Sequence, residues 1–236
     1  LICISVIFLA SPIIYSPLSS AANPLKIWEP GKYRARGRVE VTGNPGPDYY
    51  IEVGPWTYRY KNGRKEKEGS FTRGVKTGPW RYWYDNGIRM KAGSYDHLGR
   101  EDGLWEYWYP NGLPERKGTY RAGQPDGHWT FWYNQPQPSL EKEGSFTAGE
   151  KTGFWVFRYA NGQKQKEGEF STDREEGPWI FWYEDGSVKC RGSFTGGLQK
   201  GPWRYRFRTD EGEERTIREI AYVFTETTPY PGRRGV

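Results

Sequence analysis

Residues 78–87, GPWRYWYDNG, decide the fold of this protein, because edited copies of them recur along the chain. Trp80, Tyr82 and Tyr84 stand at alternate positions, and a period of two places side chains on one face of a β-strand. The Asn86-Gly87 pair that follows is typical of a tight turn between antiparallel strands. The stretch therefore predicts a β-hairpin.

Gly-x-Trp units such as Gly78-Pro79-Trp80 repeat with a nearly constant period. Their tryptophans are 24, 25, 24, 26, 24 and 24 residues apart. Most copies continue with an Asn-Gly or Asp-Gly pair and a second strand ending in Gly-[Ser/Thr/Glu]-[Phe/Tyr]. Copies in phase predict an array of stacked hairpins. The seven tryptophans expected to form its structural core are Trp56, Trp80, Trp105, Trp129, Trp155, Trp179 and Trp203.

The turn pair also predicts the register of each hairpin. We interpret Asn62-Gly63 as a two-residue type I′ turn, in which both central residues need positive φ. Lys61 then pairs with Arg64, and Trp56 falls opposite Gly69. We expect each tryptophan ring to cover the glycine of its own hairpin, where it shields the backbone. The same count pairs Trp80 with Gly93, Trp105 with Gly118, Trp155 with Gly168, and Trp179 with Gly192.

Two copies depart from this count. Residues 134–138, NQPQP, lengthen the turn after Trp129 by two residues and displace Gly144 accordingly. The turn after Trp203 is also longer, and no glycine reaches the matching position. Terminal copies of a repeat array are expected to be atypical, since they close the stack.

A family resemblance rests on the string Gly-Pro-Trp-x-[Tyr/Phe]-x-Tyr-x-[Asn/Asp]-Gly, followed by Lys/Glu-rich residues and Gly-Ser-[Phe/Tyr]-x-x-Gly. Over residues 54–208 it resembles the variant MORN repeat, and its texture is similar to the YwqK-type family of bacterial antitoxins. The resemblance implies hairpins stacked into an elongated, curled antiparallel sheet. It also implies roles in protein interaction, dimerisation or lipid binding.

The chain is therefore expected to be all-β, an elongated antiparallel sheet of about seven hairpins and fourteen strands. Residues 1–22 are typical of a secretory signal peptide, with an uncharged apolar run and small residues ending at Ala22. We expect an extracytoplasmic protein, secreted or periplasmic, with an uncleaved membrane anchor as the alternative. Residues 23–53 would be a lead-in with a capping strand, 54–216 the repeats, and 217–236 a cap strand and tail.

Composition points to a solvated surface rather than to a nucleic-acid patch. The net charge is +6, but Lys and Arg are interleaved with Asp and Glu. We therefore expect no nucleic-acid partner.

Catalytic and metal-binding patterns are lacking in the sequence. His97 and His128 have no partners at ligand spacing, so we expect surface or turn residues. Lys76-Thr77-Gly78 and Lys151-Thr152-Gly153 mimic a β-lactamase box, but no Ser-x-x-Lys accompanies them, and we interpret them as turns between hairpins. Cys190 should be a buried thiol opposite Phe181. We expect no enzyme, no cofactor and no metal.

The strand face opposite the core tryptophans carries the candidate binding residues. An exposed ladder of indoles and guanidiniums suits stacking and cation–π contacts, whereas a covered ladder would only pack between neighbouring strands. The sequence leaves both interpretations open. The residues are Arg59, Trp83, Trp108, Trp132, Arg158, Trp182 and Arg206.

The expected function rests on two observations, the lack of catalytic motifs in the sequence and the aromatic residues on the outer strand face. We expect a non-catalytic module for protein–protein interaction, of which toxin neutralisation is one concrete form. The alternative is an envelope-associated module that binds glycan or anionic lipid through the aromatic and basic face.

Overall fold

The computed structural model describes residues 24–28, 34–41, 50–208 and 214–222, with side chains at 35, 37 and 51–206. The expected signal peptide and the C-terminal tail after residue 222 lie outside the described residues.

The described residues form one antiparallel sheet of sixteen strands that lie side by side in sequence order. The first eight are β1 (Pro24–Trp28), β2 (Arg34–Val41), β3 (Tyr50–Arg59), β4 (Lys65–Thr72), β5 (Val75–Trp83), β6 (Arg89–Tyr95), β7 (Glu101–Trp108) and β8 (Pro114–Arg121). The others are β9 (Gln124–Trp132), β10 (Leu140–Thr147), β11 (Glu150–Arg158), β12 (Lys164–Ser171), β13 (Arg174–Trp182), β14 (Val188–Thr195), β15 (Leu198–Arg208) and β16 (Glu214–Tyr222). The all-β class and the array of consecutive hairpins are confirmed, and β1 and β2 add two strands ahead of the fourteen that the repeats predict.

The register of the hairpins agrees with the count from the sequence. Trp56 pairs with Gly69, and the four other predicted pairs form in the same way. The longer loop after Trp129 leaves Trp129 opposite Gly144, because both extra residues stay in the loop. Trp203 pairs with Ile220 instead of a glycine.

The predicted turn type is nevertheless wrong. The Gly63 N–H donates to Tyr60 O, the Tyr60 N–H donates to Arg64 O, and Gly63 has a φ of +84° while Asn62 has none in the positive range. This is a three-residue loop with a glycine bulge, one residue longer than a type I′ turn. An extra residue in β4 then shifts the register back between Tyr58 and Arg59. The longer loop and the extra residue in β4 shift the register by one residue in opposite directions. The predicted strand pairing is therefore confirmed, although the predicted turn type is wrong.

Asparagine favours this loop through its side chain. Asn62 Oδ1 accepts from the Arg64 N–H at 3.0 Å, and Asn62 Nδ2 donates to Asp85 O in the next loop at 2.8 Å. Asn86 makes the same two bonds, to Ile88 N and Pro110 O. The asparagines therefore link successive loops along one edge of the array.

Two-residue turns with positive φ at both positions occur at the other edge, between hairpins. In the first, Arg73 has a φ of 49° and Gly74 of 78°, and Thr72 pairs with Val75. The corresponding turns are Ala122-Gly123, Ala148-Gly149, Thr172-Asp173 and Gly196-Gly197. Lys76-Thr77-Gly78 and Lys151-Thr152-Gly153, which the sequence placed in such turns, lie within β5 and β11.

Each tryptophan ring lies over the glycine of the preceding hairpin, which corrects the expectation that it covers its own. A Cβ added to Gly69 would overlap the ring of Trp80, and one added to Gly37 would overlap that of Trp56. Gly93, Gly118, Gly144, Gly168 and Gly192 receive the rings of the tryptophans that follow them in the same way. The core is therefore assembled between hairpins.

A local bulge produces this arrangement. Gly78 has a φ of +66°, and residues 78–80 of β5 stand opposite Gly69 alone, between the pairs Glu68–Arg81 and Ser70–Thr77. The bulge turns Trp80 flat onto the neighbouring strand, where Trp80 Nε1 donates to Ser70 O at 3.1 Å. The glycine of every Gly-x-Trp unit has a positive φ, so all seven units contain this bulge.

The core lies on one face of the sheet, the core face, and is aromatic throughout. The seven tryptophans are 0–3% exposed, and rings from Phe71 and its equivalents meet them edge-on at about 5–6 Å. The positions that Tyr82, Tyr95, Tyr107 and Tyr120 occupy in the first half carry phenylalanine from β9 to β14, and Tyr205 in β15 is again a tyrosine. Those phenylalanines are Phe131, Phe146, Phe157, Phe170, Phe181 and Phe194.

Candidate functional site

The candidate binding residues lie on the opposite face, the outer face, beside the three-residue loops. Cross-strand pairing within six hairpins joins them and their partners two by two, and the order of the strands arranges these pairs, with Arg206, in one row, the outer row, from β3 to β15. Its members in strand order from β3 to β15 are Arg59, Lys65, Trp83, Arg89, Trp108, Pro114, Trp132, Leu140, Arg158, Lys164, Trp182, Val188 and Arg206. The row thus unites all seven candidates with six residues that sequence reasoning did not single out.

Tyrosines hold the backbone of this row in place. Tyr84 OH donates to Trp108 O at 2.8 Å, and Tyr109 OH donates to Trp132 O at 2.9 Å. The same bond joins Tyr60, Tyr133, Tyr159 and Tyr183 to the outer-row residue of the following hairpin. The outer row is therefore fixed by rigid elements rather than carried on mobile loops.

A cation from a preceding strand lies over each outer-row tryptophan. Lys65 Nζ is 5.4 Å from the ring centroid of Trp83, and Lys164 Nζ is 5.4 Å from that of Trp182. Arg89 covers Trp108 at 5.2 Å, and Lys117 covers Trp132 at 5.7 Å. The four indoles are half-buried: they pack on neighbouring side chains and still present ring surface to solvent.

Glutamates on neighbouring positions form ion pairs with three cations of the outer row. Lys65 Nζ and Lys164 Nζ each lie 2.7 Å from a carboxylate, of Glu68 and Glu167 respectively. Arg158 lies 3.4 Å from Glu143. Such exposed pairs add little to stability, but they fix where the positive charges stand on the outer face.

The middle of the outer row is apolar. Trp108 stands opposite Pro114, and Trp132 stands opposite Leu140, so four successive members of the row on neighbouring strands are apolar. We call these four residues the central patch. Cations flank it, Arg89 on one side and Arg158 on the other. Leu104 and Phe154, each 55% exposed, lie on the same face where most other copies carry proline.

The core face carries a second set of cations that sequence reasoning missed. Lys67 Nζ lies 4.4 Å from the Tyr58 ring centroid, and Arg116 Cζ lies 4.3 Å from that of Tyr107. Lys91, Lys142 and Lys166 occupy the equivalent place. The signal was present as a basic residue two positions before five of the repeat glycines, Gly69, Gly93, Gly118, Gly144 and Gly168. These side chains cover the aromatic core.

Three lysines meet on the core face around Tyr82. Lys76 Nζ donates to Tyr82 OH at 3.1 Å, and Lys91 Nζ lies 5.0 Å from the same ring. Burial lowers the pKa of Lys76, and the charges of Lys67 and Lys91 lower it further. Burial raises the pKa of Tyr82 and Tyr107, and hydrogen bonds to Tyr95 and Tyr120 raise each further.

The remaining candidates show no catalytic grouping. His97 and His128 are exposed, with His128 Nε2 3.9 Å from Glu143 Oε2. Cys190 is buried opposite Phe181, and burial raises the pKa of its thiol. Within residues 24–222 as far as they are described, no group of three potential ligands could hold a metal ion. The described residues also contain no helix with the length and hydropathy of a membrane span.

Comparison with protein families gives two matches. Residues 101–122 and 175–195 each match the MORN repeat variant, and each segment coincides with one hairpin, β7–β8 and β13–β14. The matches support a MORN repeat protein. Such repeats generally mediate protein or membrane interactions and are typically non-catalytic. No curated protein matches the chain.

Proposed function

We propose that this protein is a non-catalytic interaction module that binds a partner protein through the central patch of its outer face. The observation that carries the proposal is the run of Trp108, Pro114, Trp132 and Leu140 on consecutive strands, half-buried and flanked by cations. Protein interfaces commonly combine an apolar centre with a polar rim, and tryptophan and arginine are enriched among their strongest contacts.

A glycan or anionic-lipid ligand is the second candidate, favoured by the cations at both ends of the outer row. A protein partner is favoured at the centre, where four successive members of the row are apolar. Toxin neutralisation is a specific form of the proposal that rests on the resemblance to the YwqK-type family. The extracytoplasmic location remains a proposal from the character of residues 1–22.

Site-specific crosslinking tests the proposal. A photoreactive phenylalanine analogue at Leu104, which is exposed on the same strand as Trp108, should capture a protein in native extracts. The captured protein, once purified, should bind Trp108→Ala or Trp132→Ala at least about tenfold more weakly than the unchanged chain, since such anchors contribute about 2 kcal/mol or more.

Leu198→Ala is the matched control, because Leu198 is 64% exposed and lies at the turn edge, away from the outer row. It should leave the affinity within about twofold. Equal losses for Trp108→Ala and Leu198→Ala would refute the central patch as the site. Binding to anionic vesicles that falls steeply with salt, without a captured protein, would favour the lipid candidate instead.

A further inference from the structure

Three indoles of the outer row stand at regular intervals along it. Trp83, Trp108 and Trp132 lie at the ends of β5, β7 and β9, which are alternate strands of the sheet. Because neighbouring strands are about 4.8 Å apart, the positions of successive indoles are about 9.6 Å apart across the strands. All three side chains are half-buried, so each presents part of its ring to solvent. The row therefore offers three apolar contact points at one fixed spacing.

This spacing discriminates between the regular conformations of a bound peptide. A polyproline II helix presents the same face about every 9.3 Å, or three residues. The nearest repeat of an α-helix is about 10.5 Å, for seven residues, and that of a β-strand is about 6.7 Å, for two. Over two intervals a polyproline II segment departs from the indole spacing by about 0.6 Å, and an α-helix by about 1.8 Å. Polyproline II therefore fits the three indoles best.

Proline-rich segments also suit the chemistry of these contacts. Grooves lined by aromatic side chains recognise such segments because the polyproline II helix is formed before binding, so that little conformational entropy is lost. Between the indoles the row carries side chains that are not aromatic, Arg89 opposite Trp83 and Pro114 opposite Trp108. Each indole is therefore a separate contact point for one proline ring.

Two cations beside these indoles favour a particular charge on the bound segment. Arg89 Cζ lies 5.2 Å from the ring centroid of Trp108, and Lys117 Nζ lies 5.7 Å from that of Trp132. Both cationic side chains are exposed, and neither forms an ion pair with a carboxylate that the structure describes. Carboxylates beside the bound prolines would complement these charges, whereas lysines there would be repelled.

We infer that the outer row binds a proline-rich, acidic segment of the partner protein in the polyproline II conformation, with one proline on each of Trp83, Trp108 and Trp132. The inference rests on the proposed function and narrows it in two ways. The partner contributes an extended segment rather than a folded surface, and the contact continues from the central patch to Trp83.

The test uses the whole chain and a defined probe, a fluorescein-labelled peptide of three Pro-Pro-Glu repeats, which has one turn for each indole. Its affinity is measured by fluorescence anisotropy at physiological salt. Trp83→Ala and Trp108→Ala should each weaken binding about tenfold or more, once circular dichroism has shown that both variants fold. A peptide of three Ala-Ala-Glu repeats carries the same charge without the preformed helix and should bind about tenfold more weakly.

Trp182→Ala is the matched control. Trp182 is half-buried in the same row, but the row carries arginines, Arg158 and Arg206, two strands away on either side of it. The substitution should change the affinity for the peptide less than about twofold. Equal losses for Trp182→Ala and Trp83→Ala, or absence of binding of the Pro-Pro-Glu peptide to the unchanged chain, would overturn the inference.

Arg89→Glu tests the charge of the segment at an exposed position that is not part of the aromatic core. It should weaken binding of the Pro-Pro-Glu peptide about fivefold and strengthen binding of a Pro-Pro-Lys peptide. An unchanged preference between the two peptides would refute the acidic character of the segment. Cellohexaose that displaces the labelled peptide at lower concentration than the unlabelled peptide does would assign the row to glycan and overturn the inference.

The two proposals fail separately, because Trp83 lies outside the central patch. A captured partner that requires Trp108 and Trp132 but binds Trp83→Ala normally would uphold the proposed function and refute the polyproline II segment.

Discussion

At the scale of single residues, each core tryptophan depends on a glycine that another hairpin contributes. Gly118 lies under Trp129, and any side chain at that position would occupy the volume of the ring. The indole in turn donates through Nε1 to Thr119 O at 3.0 Å, beside the glycine that it covers. A large and a small residue thus form one packing unit across a hairpin boundary.

We expect Gly118→Ala to lower the free energy of unfolding by about 3 kcal/mol, because the added methyl group overlaps a ring with no room to move. The loss is measured by urea unfolding followed by circular dichroism. Gly162→Ala, whose Cβ would meet nothing within 4 Å, should cost about 1 kcal/mol from its positive φ alone.

A Trp129→Ala background separates packing from backbone strain. Gly118→Ala should add almost nothing there, because the ring that it displaces is gone. Equal costs in both backgrounds would contradict the packing unit.

At the scale of elements, two main kinds of turn connect the strands and two kinds of bulge correct the register. The sequence predicted the pairing of Trp56 with Gly69, but not the loop that produces it, since Asn-Gly is common to both loop types. It also could not assign Trp80 to Gly69 rather than to Gly93. That choice depends on the bulge at Gly78, and a period-two count assumes that strands have none.

The hydroxyl pairs that join the strands of a hairpin predict sensitivity to alkali. Tyr82 OH lies 2.9 Å from Tyr95 OH, and Tyr107 OH lies 3.2 Å from Tyr120 OH. Because the folded state raises the pKa of Tyr82 and Tyr107 above their usual 10.0, it favours the neutral phenols. Their contribution is complete below pH 10 and is lost as pH rises above that value.

We therefore expect the double variant Tyr82→Phe/Tyr107→Phe to stay folded to higher pH than the unchanged chain. Phenylalanine fills the same slot at Phe131, Phe157 and Phe181, so the substitution fits the fold. Circular dichroism across pH 9 to about 12 measures the midpoint of alkaline unfolding, which should rise. An unchanged midpoint would show that the ionisation of these tyrosines does not limit stability.

At the scale of the whole molecule, the described strands form a linear array, in which each of them pairs only with its neighbours in sequence. The period, the all-β class and the row of outer candidates were all readable from the chain, because a repeat displays the same pattern many times. The central patch was not. It arises where single copies deviate from the repeat, at Pro114 and Leu140, and a consensus pattern does not show such deviations.

Removal of one whole repeat should therefore leave a folded protein. Deleting residues 150–173 joins Gly149 to Arg174 and brings Trp179 over Gly144 in place of Trp155. The array should lose two strands, or about 10 Å of length, which small-angle scattering can measure. Deleting 150–161 instead removes half a repeat and should abolish cooperative unfolding, because the later strands then run in the wrong direction; a stable half-repeat deletion would contradict the account.

Because each tryptophan ring packs on the preceding hairpin, the hairpins can fold in order from the N-terminus to the C-terminus. During synthesis Gly69 leaves the ribosome before Trp80, and Gly93 leaves before Trp105. The glycine that each indole covers has therefore left the exit tunnel before that tryptophan emerges. A nascent chain can then add one hairpin at a time to a finished end, without waiting for its C-terminus. Duplication of a repeat would likewise require no further change in the chain, because every copy contributes the glycine that the tryptophan of the next copy covers.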